Sequence, residues 1–182
     1  EKCLQYCVKI LIRIARSRHE FAVRINNKRN LLECLIRQYL PAIETNKQEP
    51  CYLIFKLFRI LASYDVSINK NLMSLGAVAK AKSYICSQND VNVNLLKLQI
   101  ECFRFLRLYY LTTGDEDSFN ELFMALRYFL EWHYQNLDFH QANHFLIRTH
   151  ASALLYLIAC SKIHISFSIY AEVFKMCSSK WF

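Results

Sequence analysis

Four histidines fall close together in the chain: His133, His140, His144 and His150. His140 and His144 are i, i+4 neighbours, so on a helix both imidazoles leave one face. That spacing suits two ligands of one zinc ion. Such a site takes three or four protein ligands, no H-E-x-x-H is present, and Asp138 or His133 would have to complete the set. His140 as a helix cap, with the other histidines on polar faces, accounts for the same residues without a metal. No metal site is expected.

Eight cysteines stand at 3, 7, 34, 51, 86, 102, 160 and 177, and no C-x-x-C pair occurs. Most adjoin apolar residues, as in Glu33-Cys34-Leu35 and Ala159-Cys160. Free cysteines of this kind pack as small hydrophobes and point to a reducing compartment, cytosol or nucleus. Cys3 and Cys7 lie one helical turn apart beside Leu4 and Val8, and are expected in or near the core. Lys2 and Lys9 are close in sequence, but a reactive thiol also needs an accessible setting.

The chain has 182 residues with only two glycines, Gly76 and Gly114, and two prolines, Pro41 and Pro50. This excludes a Gly-rich phosphate loop and a dinucleotide fingerprint. It also denies a many-stranded sheet its turns. No nucleophile elbow or serine–lysine motif occurs. Asp115-Glu116-Asp117 lacks the alternating oxygens and distant Glu of a hard-cation loop, and reads as acid at a helix start. The sequence therefore predicts a non-enzyme with no cofactor and no small-molecule substrate.

Two surfaces remain for binding. Lys plus Arg exceeds Asp plus Glu by eight, and residues 1–91 carry all of that excess. Arg13, Arg16, Arg18, Arg24, Lys28 and Arg29 form a candidate patch for an acidic protein surface or for phosphates. Only Phe21 lies near for base stacking, which argues against single-strand recognition. The same cations also read as a solvated helix face. The second candidate is aromatic: Tyr128 and Trp132 are i, i+4 and suit an anchor for a partner helix or peptide, or an inter-helix core. The most apolar window, Thr149 to Ala171, includes His150, Lys162 and His164 and is too polar for a membrane span. No membrane partner is expected.

These residues must be positioned by helices. Hydrophobic residues are 54% and charged residues 21% of the chain, enough for a buried core. Periodicity predicts helices over Lys2 to Ser17, His19 to Ile25 and Leu31 to Leu40, the last with Asn30 as N-cap and Glu33 three residues on. Residues 41–50 form a connector. A long helix follows from Cys51, then Val66 to Ser74 capped by Asp65, a break at Gly76, and Ala77 to Ile85. A third long helix spans Val91 to Leu111, with Gly114 at its C′ position. Ser118 and Glu121 open a helix to Tyr134, and helices over Gln141 to Ser161 and Ser166 to Cys177 complete the chain.

The helices repeat. Ile12-Arg13-Ile14-Ala15-Arg16, Phe58-Arg59-Ile60-Leu61-Ala62 and Leu106-Arg107-Leu108-Tyr109-Tyr110 are alike, with Arg13, Arg59 and Arg107 spaced 46 and 48 residues apart. Leu155 to Ala159 is a weaker fourth copy. Two or three helices per such period is the armadillo/HEAT pattern. The expected fold is thus all-α: a right-handed α-solenoid of about four armadillo/HEAT-like units (1–48, 49–89, 90–136, 137–182). The alternative to a binding role is that Arg13, Arg59 and Arg107 bond loop carbonyls and brace successive units. The first residue is Glu1 rather than Met, so the chain is expected to be a segment of a larger protein.

Several stretches resemble the RNA polymerase II-associated protein 1 family, called Minyio in plants. The strongest is Ile10-Leu11-Ile12-Arg13-Ile14-Ala15-Arg16 with His19, Ala22, Ile25, Leu31-Leu32-Glu33 and Tyr39-Leu40-Pro41. Leu57 to Ala62 and Glu101 to Leu108 are similar to further helices of that family. The resemblance covers residues 10–122. It implies a helical-repeat part of an adaptor linking RNA polymerase II subunits to assembly, nuclear-import and transcription factors, in nucleus and cytoplasm. The alternative is a nucleic-acid-binding helical module that uses the basic patch.

Overall fold

A computed structural model describes residues 2–40, 48–85 and 93–113, and beyond them Thr149. Among the described residues there are seven helices and no strands. They are α1 (Lys2–Ser17), α2 (His19–Asn26), α3 (Arg29–Tyr39), α4 (Gln48–Ala62), α5 (Val66–Ser74), α6 (Ala77–Ile85) and α7 (Val93–Thr113). The all-α expectation holds for these residues. The predicted helices from Ser118 onward lie outside them.

The corners explain the order of the helices. α1 ends at Ser17, whose hydroxyl donates to the Ile14 carbonyl at 2.7 Å. Arg18 then turns extended (φ −156°, ψ 146°) and starts α2, its carbonyl accepting from Phe21 N–H. α3 starts without a side-chain cap. Lys28 occupies the N-cap position, so Asn30 and Glu33 lie inside the helix and form no capping box. Asp65 does cap α5: the Ser67 N–H donates to Oδ1 at 2.8 Å, satisfying a donor that the first helical turn would leave free. Gly76 takes φ +89°, which lets α5 turn directly into α6.

α4 is buried almost all round because it packs on α1, α2 and α3 and also on α5 and α7. α6 packs on α7, and α5 touches α2, α4, α6 and α7. The centre of the core is aromatic. Phe55 meets Phe58, Tyr84 and Phe105 with ring centroids 5.9 Å apart in each case, in edge-on and tilted arrangements. Phe55, Phe58 and Phe105 are fully buried, which joins α4, α6 and α7 into one apolar mass.

Polar bonds then fix how one group of helices sits on the next. Tyr64 Oη donates to the Ala15 carbonyl at 2.9 Å, and Asn71 Nδ2 donates to Asn26 Oδ1 at 2.9 Å. Buried Asn69 donates through Nδ2 to the Ala62 carbonyl and to Thr112 Oγ1. Gln99 Nε2 donates to the Tyr84 carbonyl at 3.2 Å. These bonds satisfy buried polar atoms that would otherwise oppose burial.

Candidate binding surface

The six cations singled out from the sequence all face solvent: Arg13 and Arg16 on α1, Arg18 at the first corner, Arg24 on α2, Lys28 and Arg29 at the second corner. α1 and α2 pack together, so these positions follow one another over a continuous run of chain. Glu20 is the single acid between Arg13 and Arg29. The Arg24 guanidinium lies 5.9 Å from the Phe21 ring centroid, close enough for a cation–π contact. Between α3 and α6 lies an open, mainly apolar cleft of about 550 Å³, lined in part by Ile36, Arg37, Leu75, Ala79 and Lys80. Arg37 there is paired with Glu33 at 2.9 Å.

The alternative reading of the three repeated arginines has them bonding loop carbonyls. Arg59 instead donates through Nε to Glu101 Oε1 of α7 at 2.8 Å. Arg104 reaches the same oxygen at 3.6 Å. Arg13 is exposed, so the arginines alike in sequence differ in environment. The physical reason is facing: Arg59 is turned toward α7, whereas in α1 the buried side belongs to Val8, Ile12 and Ala15.

The described thiols differ in exposure, with Cys34 between the extremes. Cys51 and Cys102 are buried, and burial pushes the Cys102 thiol well above its usual pKa, with Cys51 and Glu101 adding to the effect. Burial likewise raises the Tyr84 phenol, whose oxygen lies 3.4 Å from Cys51 Sγ. Cys3 and Cys7, expected in or near the core, are exposed. They sit on an outward side of α1 with Tyr6, Ile10 and Ile14, which are 66%, 55% and 39% exposed. This outward apolar row is the feature the sequence reading missed. Its signal was present: apolar residues at 3, 6, 7, 10 and 14 continue the helix's apolar surface beyond its inner face.

Among the described residues, no group of three or more His, Cys, Asp and Glu side chains is placed to hold a metal ion. No helix among them is long and apolar enough to cross a membrane. Tyr128 and Trp132, and His133, His140, His144 and His150, lie outside the described residues. Comparison of the chain with protein-family models, curated proteins and solved structures finds no match.

Proposed function

We propose that the chain is part of a right-handed, armadillo/HEAT-like α-solenoid of about four units and that it serves as a non-enzymatic protein-binding scaffold. One observation carries this reading. The long helix α1 is followed by α2 and α3, the long helix α4 by α5 and α6, and α4 packs against both α1 and α7. Such neighbour-on-neighbour packing is how a repeat stack buries faces that one unit leaves open.

The resemblance at residues 10–41 and 101–108 supports an adaptor for RNA polymerase II subunits or their assembly and import factors, in nucleus and cytoplasm. The exposed patch of Arg13, Arg16, Arg18, Arg24, Lys28 and Arg29 is the surface offered to acidic partners, with Tyr128 and Trp132 as a further anchor. Affinity capture of polymerase subunits on the immobilised chain tests the reading. Capture is expected to fall when Arg13, Arg16 and Arg18 are reversed to Glu, and unchanged capture overturns the patch.

The six solvent-facing cations also favour a second reading, binding of nucleic acid through phosphates. That reading requires affinity for short RNA or DNA that falls steeply with salt. Negligible binding at low salt removes it.

A further inference from the structure

α4 leaves one narrow stripe open. Of its residues only Gln48, Glu49, Tyr52, Lys56 and Arg59 escape burial, and Tyr52, Lys56 and Arg59 follow one another at i, i+4 and i, i+7 on one face. On α7, Lys97, Glu101 and Arg104 repeat that spacing. The Arg59–Glu101 bond sets the two stripes side by side. Lys56 lies one turn from Arg59, and Lys97 and Arg104 lie one turn to either side of Glu101. Four cations thus gather around one carboxylate. Glu49, the only other acid of the two helices, is about 10 Å from Lys56 along α4.

The carboxylate arranges this surface without neutralising it. Glu101 is fully buried and accepts from Nε of Arg59 at 2.8 Å, with Arg104 at 3.6 Å. Arg59 commits its inner nitrogen to that bond, and its two Nη groups have no partner among the described residues. The Arg59 side chain is 28% exposed, so the outer edge of the guanidinium is open to solvent. A guanidinium already held in place loses less freedom on meeting an anion than a mobile one does. Lys56 is held as well: its Nζ donates to Tyr52 Oη at 3.3 Å and lies 5.4 Å from the ring centroid. Lys97 is exposed and has no ion pair among the described residues.

We infer that this surface binds a phosphorylated serine or threonine of a partner protein, with Arg59 presenting its Nη pair to the phosphate, Lys56, Lys97 and Arg104 around it, and Glu101 positioning the arginine. A carboxylate offers this set two oxygens and one charge, whereas a phosphate monoester offers three oxygens and a charge of roughly −1.5 to −2. Recognition of phosphorylated segments by arginine clusters is a recurring mode. A nucleic-acid strand spreads single charges along its length and stacks its bases on successive rings. Here the cations gather about one point, and Tyr52 is the only ring on the two stripes. The inference rests on the reading of the chain as a protein-binding scaffold and names the chemistry of one partner. The corner cations Arg18, Arg24, Lys28 and Arg29 take no part in it.

The test uses the whole 182-residue chain. The probes are fluorescein-labelled degenerate peptide mixtures with a fixed central phosphoserine, beside twins with Ser or Glu at that position. Fluorescence anisotropy is expected to show the phosphoserine mixture binding about tenfold or more tighter than the Glu mixture, and no binding of the Ser mixture. Lys56→Gln with Lys97→Gln is expected to weaken binding about tenfold. Circular dichroism should show the fold unchanged, since neither side chain is buried. Arg59→Met is made together with Glu101→Met, so that no buried carboxylate loses its close donor, and is expected to abolish binding. Glu101→Met alone separates positioning from charge. It removes the one negative charge of the site, so a carboxylate that only repels gives tighter binding, whereas weaker binding is expected from one that holds Arg59. Reversal of Arg13, Arg16 and Arg18 should leave phosphopeptide binding intact whatever it does to polymerase capture, so the two readings fail separately. No binding of the phosphoserine mixture, equal binding of the phosphoserine and Glu mixtures, binding untouched by the lysine changes, or tighter binding by Glu101→Met overturns the inference. So does binding of short RNA or of phosphoinositide vesicles that the same changes abolish in place of phosphopeptide binding.

Discussion

The Nε–H of Arg59 donates to Oε1 of Glu101 at 2.8 Å and ties α4 to α7 across 42 positions of sequence. The two ends of the bond differ. Glu101 is fully buried, whereas the Arg59 side chain is 28% exposed. Arg104 stands 3.6 Å from the same carboxylate oxygen, and Oε2 has no hydrogen-bond partner among the described residues. The pair thus holds a buried carboxylate largely by one close donor, between helices whose buried side chains are otherwise mainly apolar.

Removing the donor is expected to cost more than the pair itself contributes. Arg59→Met leaves a buried carboxylate with only the more distant Arg104, at a cost of about 3 kcal/mol in urea unfolding at neutral pH. Arg59→Met combined with Glu101→Met removes the charge as well as its partner and is expected to recover most of that loss. A double variant no more stable than Arg59→Met would show that the carboxylate is not the source of the cost.

Thiol chemistry reports the packing independently. Cys3 and Cys7 are exposed and Cys51 and Cys102 buried, so native-state alkylation followed by mass spectrometry should label the first two and spare the second two. Burial also raises the Cys102 thiol, which lowers its thiolate fraction further. Labelling of Cys102 as fast as Cys3 in folded protein would contradict the placement of α7 against α4.

The pattern of apolar residues was enough to read most of the described helices. Lys2–Ser17, Val66–Ser74 and Ala77–Ile85 have the same bounds in sequence and structure, and each is bounded on at least one side by a strong local feature: extended Arg18 after α1, the Asp65 cap before α5, and Gly76 between α5 and α6. α3 was misjudged at its start because Asn30 and Glu33 carry a capping-box spacing that the backbone does not use. Facing was harder to read than existence. Arg13 and Arg59 sit in matching words of sequence, but a shift of one residue turns a helix by about 100°, enough to separate a solvent cation from a core-edge cation. The sequence shows Cys3, Tyr6, Cys7, Ile10 and Ile14 as an added apolar row on α1, but not its exposure, since an apolar residue does not announce whether a neighbour covers it.

Gly76 offers a test of backbone conformation alone. Its φ is +89°, and a Cβ built there meets nothing within 4 Å. Gly76→Ala therefore introduces no clash with neighbours, only the conformational penalty of a side chain at positive φ, about 1–2 kcal/mol. Thermal or urea unfolding should show a loss of that size. A stabilised Ala variant would mean that the α5–α6 corner adopts a negative φ.

Asp65 connects one carboxylate to acid stability. The Ser67 N–H bond holds its pKa below the ordinary carboxylate value, outweighing the opposing effect of desolvation, and the Ser67 hydroxyl and His19 add lesser pulls in the same direction as the N–H bond. A lowered folded-state value means that the folded chain favours the ionised form. The stabilisation is therefore fully present above the unfolded value of about 3.9 and is lost as pH falls through the lower folded value. Asp65→Ala is expected to destabilise the protein at pH 7, and the gap to the parent should narrow on acidification through that window. Asp65→Asn keeps a capping acceptor and should lose less at pH 7. Urea unfolding of the three proteins from pH 7 down to about pH 3 makes the comparison, since a cap acting through its charge must fade where the carboxyl takes up its proton. A gap that stays constant across that range would assign the stabilisation to the shape of the turn rather than to the ionised carboxylate.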